Sequence, residues 1–179
     1  GLGTSASTGI PGTVHAQTPA IAVDSIGRVI VVWDELSVDR VRVRRWNGAA
    51  WETFDDVGFA PNARQPDVAI GPNDQLYVAF QQFPDFEAGQ FFIQAMMAVN
   101  VGTSWVGINN SYTYPGISNA NGDPRTSIEP RVDVNANGTV MIAWQQTTTG
   151  RAVIVRSPSG GTWSGVSGAG DAPGVADLD

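Results

Sequence analysis

Two stretches between predicted strands, 83–90 and 109–127, carry the side chains best suited to binding a sugar. They place aromatic rings beside a carboxylate and a guanidinium group, in Phe83, Phe86, Glu87, Tyr112, Tyr114 and Arg125. Aromatic faces pack on sugar rings, and polar neighbours hydrogen-bond to the hydroxyl groups. Because long loops on a rigid scaffold commonly carry binding groups, we predict that these six residues form a ligand-binding site. The alternative is that neither of these two stretches has a function.

A polar pair follows each of three apolar runs, in Asp34-Glu35, Gln81-Gln82 and Gln145-Gln146. Carboxylate and amide oxygens at such positions can accept hydrogen bonds from the backbone N–H groups of nearby loops. Because the pair recurs in every run, we favour this structural role over ligand binding.

Three Arg residues alternate with Val in the stretch 40–44, which places a basic stripe along one face of a predicted strand. A glycan or an anionic polymer could bind there. If the two Trp residues that flank the following turn are paired, Arg45 faces Glu52 and Arg42 faces Asp55. We therefore favour ordinary cross-strand charge pairs.

Composition excludes several kinds of site. The chain has no Cys, so it holds no disulfide, thiolate metal site or Cys nucleophile. A net charge of −7, with ten basic residues that are all Arg, argues against nucleic acid as a partner. No apolar run reaches the length of a membrane span. The one His, His15, lies in a Gly- and Thr-rich segment that suggests neither catalysis nor metal binding.

Acidic and amide residues are placed as turn formers, in Asp24, Asn73, Asp74, Asn135 and Asn137. Such side chains stabilise turns by bonding to the backbone. The spacing Asp-x-Asp-x-Asp-Gly of a calcium loop is absent from the sequence. We therefore expect neither a metal nor a cofactor.

An internal repeat organises the whole chain. An aromatic residue follows a Pro by 14 residues three times, from 19 to 33, from 66 to 80 and from 130 to 144. A second landmark, a turn of small residues that ends in Trp, comes later in each copy, at Trp51, Trp105 and Trp163. A repeat of this length predicts an array of identical structural units.

Each copy is predicted to form four strands, A to D. Strand A begins at the Pro, and a turn with Gly27, Asn73-Asp74 or Asn137-Gly138 leads into strand B, which is apolar on both faces. Repeated antiparallel units with doubly buried inner strands favour an all-β fold, a β-propeller of stacked four-stranded blades.

The predicted propeller segment covers the whole chain, 1–179. The blade boundaries are 1–17 for the end of a preceding blade, 18–64, 65–128 with the long loops, 129–171, and 172–179 for the first strand of a next blade. Three blades plus partial blades at both ends cannot close a ring. Further blades must come from the same polypeptide, which we favour, or from another chain.

The repeated pattern, Pro-x-apolar-x-apolar, a turn with Gly, a run ending in Trp and then Gly-x-x-Trp, resembles the sialidase-like (BNR-type) bacterial β-propeller repeats. The resemblance implies a secreted or cell-surface protein. The Asp-box of that family, Ser-x-Asp-x-Gly-x-x-Trp, lacks its Asp in all three hairpins here. The family's Arg triad and Tyr/Glu nucleophile pair match no motif in this chain.

We therefore expect a non-catalytic extracellular binding or adhesion propeller, whose partner is a glycan or a protein bound through the face with the long loops. One alternative is a fragment of a sialidase-like glycoside hydrolase. Another is a purely structural surface or filament repeat.

Overall fold

Three four-stranded antiparallel sheets follow one another along the chain. The computed structural model describes residues 9–57, 62–82, 94–101, 104–109, 111, 116–118, 126–147 and 151–165. The first sheet contains β1 (Ala16–Val23), β2 (Val29–Glu35), β3 (Arg40–Trp46) and β4 (Trp51–Thr53). The second contains β5 (Ala63–Ile70), β6 (Leu76–Gln82), β7 (Gln94–Val101) and β8 (Ser104–Val106). The third contains β9 (Thr126–Val134), β10 (Val140–Thr147), β11 (Arg151–Ser159) and β12 (Thr162–Gly165).

The sheets are arranged as blades around a common axis. Within each sheet every strand pairs with the next one along the chain. The first strand of the second blade, β5, also packs against the first strands of both other blades, β1 and β9, which places these strands innermost. This arrangement confirms the predicted all-β propeller fold. Among the described residues, a 3-10 turn at Pro72–Asp74 is the one helical element, and no helix could cross a bilayer.

The core lies between the blades. On one face of β6, Val78 and Phe80 pack with residues of the first blade; on the other face, Tyr77 and Ala79 pack with residues of the third. Side chains alternate along a strand, so a strand that is apolar at every position suits burial on both sides. Burial of a side chain such as Phe80, which is fully enclosed, contributes about 1.5–3 kcal/mol.

The second landmark of the repeat joins neighbouring blades. Trp105 Nε1 donates to the carbonyl oxygen of Asp55 in the first blade at 2.9 Å, and Trp163 Nε1 donates to that of Ile108 in the second at 3.1 Å. Trp51 occupies the equivalent position in the first blade, where its buried Nε1 has no hydrogen-bond partner among the described residues.

The basic stripe is explained by charge pairs, with one correction. Trp46 pairs with Trp51, and Arg45 Nε donates to Glu52 Oε2 at 2.7 Å, as predicted. Arg42 was predicted to face Asp55 and instead lies 3.7 Å from Asp56 Oδ1. Because β4 ends at Thr53, the two acidic residues lie beyond the ladder, and their side chains do not follow its alternation.

The predicted starts of strand A are also corrected. The innermost strands begin at Ala16, Ala63 and Thr126, before the repeated Pro, which lies inside each strand. A Pro inside a strand removes a ladder hydrogen bond, so it is found at bulges and on edge strands. Here the Pro satisfies both conditions. Strand A is the edge strand of every sheet, and each strand A has a bulge at its Pro.

Candidate active site

A β-bulge occurs at the same place in all three innermost strands. In the first blade, Gln17 pairs with Asp34 and Ala20 with Val32, so Thr18 and Pro19 together face one residue. The same shift in register occurs between Arg64 and Asp67 in the second blade and opposite Trp144 in the third. The repeated Pro and the repeated aromatic are therefore partners across one bulge. A bulge redirects a side chain, and bulges are over-represented beside active sites.

The residue before the Pro adopts a left-handed backbone conformation in every blade. The φ angles are +43° at Thr18, +47° at Gln65 and +53° at Glu129. This region is costly for residues other than Gly, by about 1–3 kcal/mol. The residue before a Pro is further biased towards extended conformations. A bulge of the same kind in each blade therefore holds three equivalent residues in a strained conformation, and this fixes the backbone positions from which their side chains project.

These three bulges meet at the axis and line one cavity of about 500 Å³, here called the axial pocket. Its walls come from Thr18, Pro19, Ala20, Gln65, Pro66, Asp67, Glu129 and Arg131. The bulges lie near the start of strand A, at the end of the blades from which the D-to-A and B-to-C connections leave. The axial pocket is thus at the face where the sequence predicts the ligand site.

The charged groups of the axial pocket differ in their partners. Asp67 Oδ2 accepts the Val132 N–H at 2.9 Å, and Arg131 Nη1 donates to the carbonyl oxygen of the preceding Pro at 2.9 Å. Glu129 is exposed and, among the described residues, makes no hydrogen bond or ion pair. Its carboxylate is therefore available to a ligand in the pocket.

Acceptor atoms without partners lie beside the pocket. Asp34 is 2% exposed, and its Oδ2 accepts the Gln65 N–H at 3.5 Å, while its Oδ1 has no partner in the described structure. Gln65 Oε1 is also buried without a partner, and so is Oε1 of Gln81, which follows the repeated aromatic in the second blade as Asp34 does in the first. Buried polar atoms are usually paired, so these exceptions need an explanation.

Glu35, the neighbour of Asp34, differs from it because both of its carboxylate oxygens accept hydrogen bonds. It is 1% exposed and accepts the backbone N–H groups of Val14 at 3.0 Å and His15 at 2.7 Å, and also the Ser37 hydroxyl at 2.8 Å. Burial raises the pKa of this carboxyl, but the hydrogen bonds outweigh it and lower the pKa from 4.5 to about 2. The predicted structural role of this polar pair is confirmed for Glu35 and for the Asp34 oxygen that contacts Gln65.

The six residues of the predicted ligand site all lie outside the described residues: Phe83, Phe86, Glu87, Tyr112, Tyr114 and Arg125. Their role stays a prediction. The axial pocket itself was missed by the sequence analysis, although a signal for it exists. In the repeat, the Pro is constant, while the residue before it changes from Thr18 to Gln65 to Glu129. The three polar side chains therefore differ while the strand that carries them repeats.

A scan against protein-family models and a search of curated proteins found no match for this chain. Solved structures do match its fold. The α-L-arabinofuranosidase of Lactobacillus brevis has a TM-score of 0.57 at 13% identity, over 86% of this chain and 53% of that one. The Penicillium chrysogenum α-L-arabinanase, in complex with arabinobiose, has a TM-score of 0.59 at 13% identity, over 86% and 49%.

A Hadza microbial sialidase also matches, with a TM-score of 0.54 at 18% identity, over 84% of this chain and 37% of the sialidase. The chain therefore spans about half the length of the two arabinan-related enzymes and less of the sialidase. At these identities the likeness concerns the fold, a β-propeller of the kind found in glycoside hydrolases.

The first functional hypothesis of the sequence analysis, a non-catalytic extracellular binding or adhesion propeller, is wrong on this comparison. The three similar structures named above are glycoside hydrolases by name, two of them named for arabinose-containing substrates. The comparison favours the alternative, a fragment of a sialidase-like glycoside hydrolase.

Proposed function

We propose that this chain supplies three blades of a glycoside hydrolase and that the axial pocket is part of its active site. The observation that carries the proposal is Glu129: a carboxylate without a partner, held in a strained conformation by a bulge and exposed in the pocket. Strain of this kind persists only where the surrounding structure enforces it, and it is concentrated at active sites.

Glycoside hydrolysis commonly needs two carboxyl groups on either side of the scissile bond. One protonates the leaving oxygen, and the other attacks the anomeric carbon or activates a water molecule that does so. Glu129 suits proton transfer, since no protein group occupies its oxygens among the described residues. Asp67 lines the same pocket and is oriented by the Val132 N–H, so it is our candidate for the second carboxylate.

The fold comparison supports the same reaction, because the neighbours named above hydrolyse glycosides. A glycan is accordingly the proposed ligand. The remaining walls of the active site would come from further blades, since the chain spans about half of the arabinan-related enzymes. An extracellular or cell-surface location remains part of this proposal.

The test is an assay of the polypeptide at its natural length against a panel of fluorogenic aryl glycosides, neutral and anionic. We expect hydrolysis of at least one substrate, and Glu129→Gln should lower kcat by about 10²–10⁴-fold, the usual contribution of a general acid or base. The matched control is Glu52→Gln, which removes a carboxylate paired with Arg45 in the outer hairpin of the first blade.

The control should retain the kcat of the wild-type protein. Absence of hydrolysis across the panel, or equal kcat values for Glu129→Gln and wild type, would contradict the proposal.

A further inference from the structure

We infer that the axial pocket selects a neutral, hydroxyl-rich sugar over an anionic one. The inference rests on the proposed function and assigns a substrate class to its site. It also chooses between two kinds of neighbour, the arabinan-related enzymes and the sialidase, which the fold comparison does not separate.

Two acceptor atoms at the pocket have no partner among the described residues. Gln65 lines the pocket, and Asp34 contacts its backbone; Gln65 Oε1 and Asp34 Oδ1 are both buried acceptors without a donor among the described residues. A buried acceptor left unpaired destabilises the ligand-free protein. Both oxygens are closed to solvent, so a sugar hydroxyl donates to Gln65 Oε1 once this side chain turns towards the pocket that the residue lines. The new hydrogen bond removes the cost.

The charged side chains at and beside the pocket are mostly acidic. Asp67 and Glu129 line the pocket, and Asp34 lies against Gln65 beside it. A ligand carboxylate beside these groups is repelled by their like charge. Arg131 is the one basic residue of the described lining, and one of its nitrogens already donates to the backbone. The acidic groups therefore dominate the field that a ligand meets.

The backbone of Gln65 is held in a fixed position. Gln65 is held at a φ of +47° by its bulge, and its N–H is fixed by Asp34 of the preceding blade. A side chain with a fixed backbone loses less entropy when it binds a ligand. Gln65 is thus a specificity residue: its carbonyl oxygen accepts a sugar hydroxyl, and its contribution appears in binding more than in the chemical step.

The experiment measures binding and hydrolysis separately in the polypeptide at its natural length. Calorimetry is done with arabinobiose and with a sialylated trisaccharide, and kinetics with an aryl arabinofuranoside and an aryl sialoside. We expect the neutral ligand of each pair to be preferred. Gln65→Ala should weaken arabinobiose binding and raise KM by about tenfold, the effect of one hydrogen bond, with kcat within about twofold of wild type.

The matched control is Gln17→Ala, which removes an exposed amide on the strand before the first bulge. It should leave both affinity and KM unchanged. A second variant, Asp34→Asn, keeps the side-chain shape and removes one negative charge. It should narrow the difference in affinity between the neutral and the anionic ligand.

The outcomes separate the two proposals. Hydrolysis of the sialoside in preference to the arabinofuranoside supports the proposed function and overturns this inference. Binding of arabinobiose that depends on Gln65, without hydrolysis of any glycoside, supports the inference and overturns the proposed function. Unchanged affinity in Gln65→Ala overturns the inference, and binding of neither ligand at millimolar concentration overturns both.

Discussion

The two ends of the propeller axis are built from the same three strands and treat their polar groups in opposite ways. At the turn end, where strands A and B connect, Asp24 accepts the N–H groups of Ile26 at 3.2 Å and Arg28 at 2.8 Å. Asp74 bonds both the N–H and the hydroxyl of Ser25 across two blades. At the bulge end, Asp34 Oδ1 and Gln65 Oε1 lack partners within the described residues.

This difference indicates that the turn end of the axis stabilises the fold, whereas the bulge end is suited to binding a ligand. Positive φ angles at the turn end fall mainly on residues suited to them, such as Gly27 at +84° and Gly138 at +80°. At the bulge end they fall on Thr18, Gln65 and Glu129, where they are costly. At the turn end the polar side chains named above thus have hydrogen-bond partners. The bulge end, in contrast, retains backbone strain and unpaired acceptors that a ligand can use.

Glu35 is the exception to this comparison, because it lies at the bulge end and yet both of its carboxylate oxygens accept hydrogen bonds. The largest effect on stability is expected here. Its pKa of about 2, against 4.5 for the free carboxyl, corresponds to about 3 kcal/mol of stability. A lowered pKa means that this stability is present above pH 4.5 and is lost as the pH falls towards 2. Urea unfolding across this pH range should show the loss.

The variant Glu35→Gln should be less stable than wild type near pH 7 and should show a flatter acid limb. Equal pH profiles for the two proteins would refute the role of the Val14 and His15 contacts. The polar pair of the third blade carries Gln146 at the equivalent position, so it should contribute nothing to this pH dependence.

Asp24→Ala probes the turn end. The side chain of Asp24 is 1% exposed and bonds two backbone N–H groups and the Arg28 guanidinium, which would all lose their acceptor. We expect a loss of about 2–3 kcal/mol in the free energy of unfolding. Gln17→Ala, on an exposed position of β1, should change stability by less than about 0.5 kcal/mol. Comparable unfolding curves for the two variants would show that the turn end is not the stabilising end.

Much of the fold could be predicted because each local signal agreed with the global arrangement. The constant spacing from Pro19 to Trp33 is the length of one A-to-B hairpin, and the doubly apolar strand B requires blades on both sides. The Asx and Gly residues of the turns were recognised from their backbone preferences alone.

The site was harder to predict, because it depends on register and on contacts between blades. A sequence shows that Pro66 follows Gln65, but not that a bulge places both opposite Phe80 with a positive φ. It also does not show that Asp34 of one blade contacts Gln65 of the next. Only the tertiary pairing distinguishes this pocket from the loops that the residue types favoured.

A smaller effect is expected at the Trp residues that join the blades. Trp105→Phe removes the donor to the carbonyl oxygen of Asp55 and so breaks a hydrogen bond between two blades, which should cost about 1 kcal/mol. Trp51→Phe removes an N–H that has no partner in the described structure, so it should cost less. Thermal unfolding of the two variants gives the comparison, and a greater loss for Trp51→Phe would mean that its N–H is engaged.

The smallest effect on stability is expected at the bulge end itself. Gln65→Ala removes an acceptor that has no partner, and the backbone strain at this position is the same for Ala. The free energy of unfolding should therefore change by less than about 0.5 kcal/mol, or rise slightly, because a buried unpaired oxygen is removed. Urea unfolding without ligand measures this change, and addition of arabinobiose then stabilises wild type more than the variant. A loss as large as that of Asp24→Ala would place Gln65 among the structural groups and remove the distinction between the two ends.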